Sequence, residues 1–182
     1  KGLGVKDHSV VGNELDAIED GKILIEKQPI LSFFMPDAID TFSVADQTYI
    51  VTLNEGDARD YDAYSEEKKL SKIGKAVKLK AEHYVGYTQD ELDAFDLTTL
   101  ADYKVTIENG LSADGTSYEA LYGYGGRSFS IFKADTMELV YDSGNDFETI
   151  IAENMPEQFN ISNDKLTVDA RSKAKGPEPE TV

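Results

Sequence analysis

The chain has 182 residues, of which 35 are acidic and 18 basic, so its net charge at neutral pH is −17. That charge argues against a nucleic-acid partner, which needs a basic surface, and against docking on anionic lipid. The absence of cysteine excludes disulfides, zinc–thiolate sites and a cysteine nucleophile, and no apolar run is long enough to insert into a membrane.

The first third of the chain predicts a β-hairpin. Residues 48–53 (T-Y-I-V-T-L) are β-branched, aromatic or apolar, which favours a strand, and residues 41–44 precede them across a short turn. Residues 22–26 are a further strand candidate, and residues 30–35 are an apolar stretch that ends at Pro36. The loop that follows the hairpin, residues 54–64, is rich in acidic side chains.

The region from about residue 65 to residue 102 predicts a helical insertion. Residues 65–80 place three apolar side chains on one helical face: Leu70, Ile73 and Val77. Residues 88–91 (T-Q-D-E) have the pattern of a capping box, which predicts a second short helix.

The remainder of the chain predicts two more strands and a second hairpin. Residues 103–108 and 119–124 have strand composition. Residues 128–134 alternate in polarity, and residues 139–141 follow them across a turn that carries Asp and Thr, which favour turns. Hairpins of this kind recur in radial β-architectures, whose units are small antiparallel sheets.

A third helix is predicted at residues 146–154, with Phe147, Ile150 and Ile151 on one face. Together these patterns predict a mainly β fold of antiparallel sheets of the β-propeller-blade type, with two or three short helices in the insertion. We expect residues 1–182 to be a single fragment of a larger β-propeller-like domain. A partial propeller leaves sheet edges open, so we expect edge-to-edge self-association.

The acidic loop is the strongest candidate for a metal site. Its carboxylates lie close in sequence around Gly56, and hard oxygen ligands of this kind suit Ca²⁺. The predicted ligands are Glu55, Asp57, Asp60 and Asp62. The alternative is a solvated loop whose charge Arg59 partly neutralises.

The three arginines of the chain are candidates for anion binding. Guanidinium groups bind carboxylate or phosphate with two parallel hydrogen bonds, and convergence of Arg59, Arg127 and Arg171 would form such a site. The alternative is that each arginine pairs with a nearby acid and fixes a loop. A hydrolytic triad would have to use His8 or His83, and neither lies in a nucleophile motif.

Several segments, taken together and in order, resemble one known family. They are K-D-H-S-V-V-G-N-E-L-D-A (6–17), M-P-D-A-I (35–39), T-Y-I-V-T-L-N-E-G-D-A-R-D-Y (48–61), S-E-E (65–67), Y-G-Y-G-G-R-S-F-S-I-F (122–132), V-Y-D-S-G-N-D-F-E (140–148) and D-A-R-S-K-A-K-G-P-E-P-E (169–180). The chain is similar to the choice-of-anchor I bacterial surface proteins, which are related to the mesenchyme-specific cell-surface glycoproteins and include members labelled alkaline-phosphatase-like. Lys173 stands where the family pattern has an acid.

The resemblance implies a secreted, cell-surface β-propeller-like module, with the Gram-positive wall as its expected location. We predict a non-catalytic adhesion or scaffold function in the cell envelope, with an extracellular ligand that the sequence does not identify. One alternative is a metal-dependent phosphoesterase, in which carboxylates hold cations and arginines bind phosphate. Another is a carbohydrate-binding module in which tyrosines stack on sugars, although sheet packing explains them equally well: Tyr84, Tyr87, Tyr103, Tyr118, Tyr122 and Tyr124.

Overall fold

The structure is a computed structural model that describes residues 1–162 and 166–181. Its described part is mainly β, with several small sheets and two α-helices. The strands are β1 (Val5–Asp7), β2 (Leu31–Phe33), β3 (Ala38–Val44), β4 (Gln47–Leu53), β5 (Asp60–Tyr61), β6 (Tyr64–Ser65), β7 (Glu67–Lys69), β8 (Ala76–Val77), β9 (Lys104–Thr106), β10 (Ser117–Tyr118), β11 (Tyr122–Tyr124), β12 (Phe129–Lys133) and β13 (Leu139–Asp142). The helices are α1 (Gln89–Ala94) and α2 (Asp146–Asn154), and 3-10 turns span Leu70–Lys72, Ala81–His83, Leu97–Leu100 and Pro156–Gln158.

The largest sheet has four antiparallel strands in the order β13-β12-β4-β3. It is built from the two hairpins that the sequence predicts, and the second joins the first where β12 pairs with β4, from Phe129 opposite Leu53 to Lys133 opposite Tyr49. The predicted hairpins are therefore confirmed. The sheet has the size of one propeller blade, and the closed propeller stays a prediction.

A second sheet brings the N-terminal part of the chain to its middle. β1 pairs antiparallel with β2, and β2 pairs in parallel with β11. Beside this sheet lies the hydrophobic core, whose most deeply buried side chains include Leu15, Ile30, Leu100, Tyr103 and Leu121. The predicted strand at residues 22–26 is absent from this fully described stretch, where a single bridge joins Glu26 to Leu15.

The predicted helix at residues 65–80 is wrong. This stretch contains β7, which pairs antiparallel with β9, and then a 3-10 turn that buries Leu70 and Ile73 in the core. Gly74 follows with a positive φ of 75°, which ends any helical path, and β8 pairs in parallel with β10. Backbone pairing with distant strands thus overrides the helical spacing of the apolar residues.

The two other helix predictions have the correct positions. Thr88 and Glu91 form the capping box, since the Thr88 N–H donates to Glu91 Oε2 (2.8 Å) and the Glu91 N–H donates to Thr88 Oγ1 (3.3 Å). Helix α2 also has the predicted bounds, but its apolar side chains are not its most deeply buried ones. Ile150 is 54% exposed, whereas Glu148 is 1% exposed.

Candidate functional site

Arg127 lies between β11 and β12 with its guanidinium group buried in the protein. Nη1 donates to Glu148 Oε1 (2.6 Å) and to the Asp16 carbonyl (2.7 Å). Nη2 donates to the carbonyls of Ser172 (2.6 Å) and Ala174 (3.1 Å). One side chain therefore joins α2, the loop after β1 and the C-terminal segment.

Glu148 completes this arrangement from helix α2. It accepts hydrogen bonds from Asn160 Nδ2 (2.7 Å) and from the Asp16 N–H (3.2 Å), and Asn160 Nδ2 also donates to Ser172 Oγ (2.9 Å). Burial is the largest influence and lowers the pKa of Arg127, but Glu148, together with Tyr103 and Asp16, more than offsets burial and raises that pKa, so the guanidinium stays charged. We call these five residues, Arg127, Glu148, Asp16, Asn160 and Ser172, the Arg127 network.

The glycine of the K-G-P sequence is required by the Arg127 network. Gly176 has a φ of 61°, and a Cβ there would lie 2.8 Å from Arg127 Nη1 and 2.9 Å from its Cζ. Nearby, the Asp169 carboxylate accepts the N–H groups of Asp20 and Gly21, both at 2.8 Å. The C-terminal segment is thus held against the N-terminal loop by two buried charged groups.

Lys6 is a further buried charged residue. Its ammonium lies 2.7 Å from Asp142 Oδ1 and donates to the carbonyls of Gly126 (2.9 Å) and Gly144 (2.6 Å). Burial lowers the pKa of Lys6, and the contact with Asp142 offsets only part of that effect. The pair joins β1 to β13.

His8 lies between a carbonyl and a hydroxyl. Its Nδ1 is 2.6 Å from the Asn13 carbonyl and its Nε2 is 2.9 Å from Ser32 Oγ. Burial lowers the pKa of His8 well below its ordinary value, so the ring is neutral and donates from Nδ1. This serine–histidine contact is inaccessible to solvent, because both side chains are buried.

A more accessible cluster forms where the acidic loop meets the C-terminal segment. The Lys175 ammonium lies 2.9 Å from Glu178 Oε1, 3.1 Å from Glu55 Oε1 and 3.5 Å from Asp57 Oδ1. Burial lowers the pKa of Lys175, but the surrounding carboxylates, Glu178 first, outweigh burial and raise it. Arg171 also contacts Glu178. We call these residues the Lys175 cluster.

The predicted metal ligands are divided between two places. Glu55 and Asp57 belong to the Lys175 cluster, whereas Asp60 and Asp62 are exposed at the β5–β6 hairpin. Among the described residues, no group of three or more His, Cys, Asp or Glu side chains is arranged to hold a metal ion. A calcium site at the acidic loop stays a prediction.

The three arginines contact three different carboxylates. The exposed Arg59 pairs with the largely buried Glu66 (Nη2 to Oε2, 2.5 Å), Arg127 pairs with Glu148 inside the protein, and Arg171 pairs with Glu178. Arg171 is the one arginine that lines a cleft of about 750 Å³, together with the basic residues Lys104, Lys173 and Lys175.

Sequence reasoning missed most of the buried charged residues. Lys6 and Asp16 lie in the family-like segment 6–17, and Glu148 lies in the family-like segment 140–148. Their position in these segments is the signal by which the sequence could have identified them. Most of the tyrosines considered for sugar stacking are buried, which removes them from any exposed patch: Tyr84, Tyr103, Tyr118 and Tyr124.

In the described part of the chain, no helix has the length and apolar character needed to cross a membrane. A sequence model of the choice-of-anchor I domain matches residues 1–182. Gigasin-3a of Magallana gigas is 42% identical over 88 residues, which are 46% of this chain and 31% of that protein. The mesenchyme-specific cell surface glycoprotein of Strongylocentrotus purpuratus is 27% identical over an alignment of 205 residues, which covers 99% of this chain and 26% of that protein.

The chain therefore spans less than a third of the length of either of these curated relatives. No solved structure matches it significantly.

Proposed function

This chain belongs to the choice-of-anchor I domain family, and we propose that it is a non-catalytic adhesion or scaffold module of a cell-surface protein. The family and the cell surface glycoprotein among the relatives support a surface-associated module. The net charge of −17 is consistent with a strongly hydrated surface.

One observation carries the scaffold proposal: the charged side chains of the family-like motifs bind other parts of the same chain. Arg127 binds α2 and the two terminal segments, and Lys6 joins β1 to β13. The His8–Ser32 contact, whose chemistry resembles that of a hydrolase, is buried away from substrate. These residues stabilise the fold and hold its loops in place.

The scaffold function is tested against the phosphoesterase alternative by an activity screen. The purified chain and its full-length parent are incubated with a generic phosphate ester, with and without Ca²⁺ or Mg²⁺. We expect no turnover above the buffer rate. Turnover that needs the cation and is lost in Asp57→Asn, while the variant keeps its melting temperature, would contradict the proposal.

The location is tested on intact cells of the organism that encodes the chain. Trypsin added outside the cells should remove the full-length protein while a cytoplasmic marker remains intact. Full protection of the protein until the cells are lysed would refute a surface location. The Gram-positive wall stays a prediction, and the two relatives named above are animal proteins.

A further inference from the structure

Strand β3 forms an outer edge of the four-stranded sheet and is exposed along nearly its whole length. Ile39 is 64% exposed on one face of the sheet, and Val44 is 59% exposed on the other. Phe42 lies on the same face as Val44 and stacks on Tyr49 of β4, with ring centroids 5.3 Å apart. The strand therefore presents apolar side chains on both faces beside the unpaired backbone groups of an edge.

This edge lacks the usual features that prevent strand pairing. Proteins protect edges with proline, lysine, bulges or very short strands. β3 has seven residues without proline or lysine, and its pairing with β4 is regular from Ala38 to Val44. At the opposite edge, β13 has four residues, and its register with β12 shifts between Ile131 and Phe132. The two edges thus differ, and β3 is the one open to a partner strand.

Asp40 supplies the single charge on β3. Its Oδ1 accepts a hydrogen bond from the backbone N–H of Thr41 (2.7 Å). The carboxylate therefore already binds one backbone N–H group at the centre of the edge strand. A charged side chain on an edge strand discourages pairing without preventing it. Removing the charge should therefore strengthen any association through this edge.

We propose that β3 pairs antiparallel with β3 of a second copy of this chain, with Thr41 opposite Thr41 on the two-fold axis. This register places Asp40 opposite Phe42 and Ile39 opposite Ser43, so no two like charges face each other directly. The register preserves the faces of the sheet, because residues separated by an even number lie on the same side. The product is one continuous eight-stranded sheet.

The same register extends the aromatic contact across the new interface. The two Phe42 side chains become diagonal neighbours, a spacing that aromatic rings can bridge. The existing Phe42–Tyr49 stack then continues as a ladder over four strands. The net charge of −17 on each copy opposes association, so the dimer should strengthen with ionic strength.

The experiment is sedimentation equilibrium of the purified chain at concentrations up to about 1 mM and at about 0.05 and 0.5 M NaCl. We expect a monomer–dimer equilibrium that tightens with salt. Thr41→Lys places two ammonium groups opposite each other and should weaken the dimer about tenfold or more. Thr48→Lys makes the same charge change on the inner strand β4 and should leave the dimer within about twofold.

Two further variants test the register and the role of Asp40. Asp40→Asn should tighten the dimer, whereas Asp46→Asn, in the turn of the same hairpin, makes the same charge change away from the edge and should have the smaller effect. The chain contains no cysteine, so Thr41→Cys should form a disulfide-linked dimer faster than Thr48→Cys under the same oxidant.

Three results would overturn the proposal. One is a monomer under all conditions for both the unmodified chain and Asp40→Asn. Another is a dimer that Thr41→Lys does not weaken more than Thr48→Lys. The third is equal rates of disulfide formation at positions 41 and 48. If Thr41→Lys fails to fold, judged by its melting curve, the two cysteine variants decide the question.

Discussion

Arg127 shows how this chain tolerates a buried cation. A guanidinium group removed from water is costly unless a counter-ion and enough acceptors surround it. Arg127 has Glu148 as its counter-ion and three backbone carbonyls as further acceptors. The acceptors come from segments more than 150 residues apart in sequence, Asp16 and Ala174, so the side chain fixes their relative positions.

Removing the Arg127 guanidinium should destabilise the protein strongly. Arg127→Met leaves the Glu148 carboxylate buried without its counter-ion, and we expect a loss of about 3–5 kcal/mol in the free energy of unfolding. Lys69→Met removes an exposed ion pair with Asp102 and should cost less than about 1 kcal/mol. Urea denaturation of both variants measures the difference.

Substitution of Glu148, the other member of the ion pair, provides a further check. Replacing Glu148 by Met in the Arg127→Met background removes the unpaired charge, so the double variant should be more stable than Arg127→Met alone. A double variant that is less stable by the sum of two independent losses would show that the two groups act separately.

Asp16 makes the stability depend on pH. Burial raises the pKa of Asp16 to about 6, against the opposing effect of hydrogen bonds from the Leu24 and Ile18 N–H groups. The folded state therefore binds the proton more tightly than the unfolded state. Its contribution to stability is fully present below about pH 4 and is lost as the pH rises through 6.

We expect the unmodified chain to gain up to about 3 kcal/mol relative to Asp16→Asn as the pH falls from 7 to 4. The asparagine does not titrate, so the difference between the two chains isolates the Asp16 contribution from that of the other carboxylates. Urea denaturation at several pH values measures it. A constant difference across this range would contradict the prediction.

At the scale of elements, the sequence predicts those structures whose signals are local. Both hairpins and α1 follow from turn residues, β-branched residues and a capping box, all within a few positions of one another. The helix at residues 65–80 fails because β7 pairs with β9, almost 40 residues away, which no local spacing reveals. Local spacing also does not reveal which side chain α2 buries most deeply. Glu148 is buried because Arg127 comes to meet it.

One close approach between elements depends on two glycines. Gly56 follows β4 with a φ of 83°, and a Cβ there would lie 2.1 Å from the backbone nitrogen of Gly125. Gly56→Ala should therefore cost about 2–5 kcal/mol, from both the backbone conformation and the overlap with a backbone that cannot move away easily.

Gly74→Ala is the matched control for this prediction. Gly74 has a similar φ of 75°, but nothing lies within 4 Å of a Cβ there. Its substitution should cost only the conformational term, about 1–2 kcal/mol. Melting temperatures of both variants give the comparison, and equal losses would mean that the contact with Gly125 adds nothing.

At the scale of the whole molecule, motifs that are far apart in sequence meet. The N-E-G-D motif and the K-G-P-E motif meet in the Lys175 cluster, about 120 residues apart. The sequence identifies Glu55, Asp57 and Arg171 as candidates, and the structure brings them close together. The sequence also identifies Asp60 and Arg59 as candidates, but both lie outside the Lys175 cluster. Proximity in sequence does not fix the direction in which a loop side chain points.

The Lys175 cluster also bears on the predicted calcium site. Three carboxylates surround one ammonium group, at 2.9, 3.1 and 3.5 Å from Nζ, so the lysine occupies the position that a cation would need. Lys175→Met removes the charge and leaves Glu55, Asp57 and Glu178 facing each other. Their repulsion should lower the melting temperature, and Ca²⁺, which prefers several oxygen ligands, should restore it at about 10⁻⁴–10⁻³ M.

The control for this calcium response is Lys173→Met, because within residues 1–162 and 166–181 the ammonium of Lys173 pairs with one carboxylate, that of Glu19. Thermal melts and titration calorimetry with Ca²⁺ should give a larger response for Lys175→Met than for Lys173→Met or the unmodified chain, and Mg²⁺ should be the weaker ion because it loses its water reluctantly. Equal calcium responses in all three chains would place any cation site away from Lys175. A Lys175→Met chain that melts lower and ignores calcium would show that the three carboxylates cannot converge on an ion.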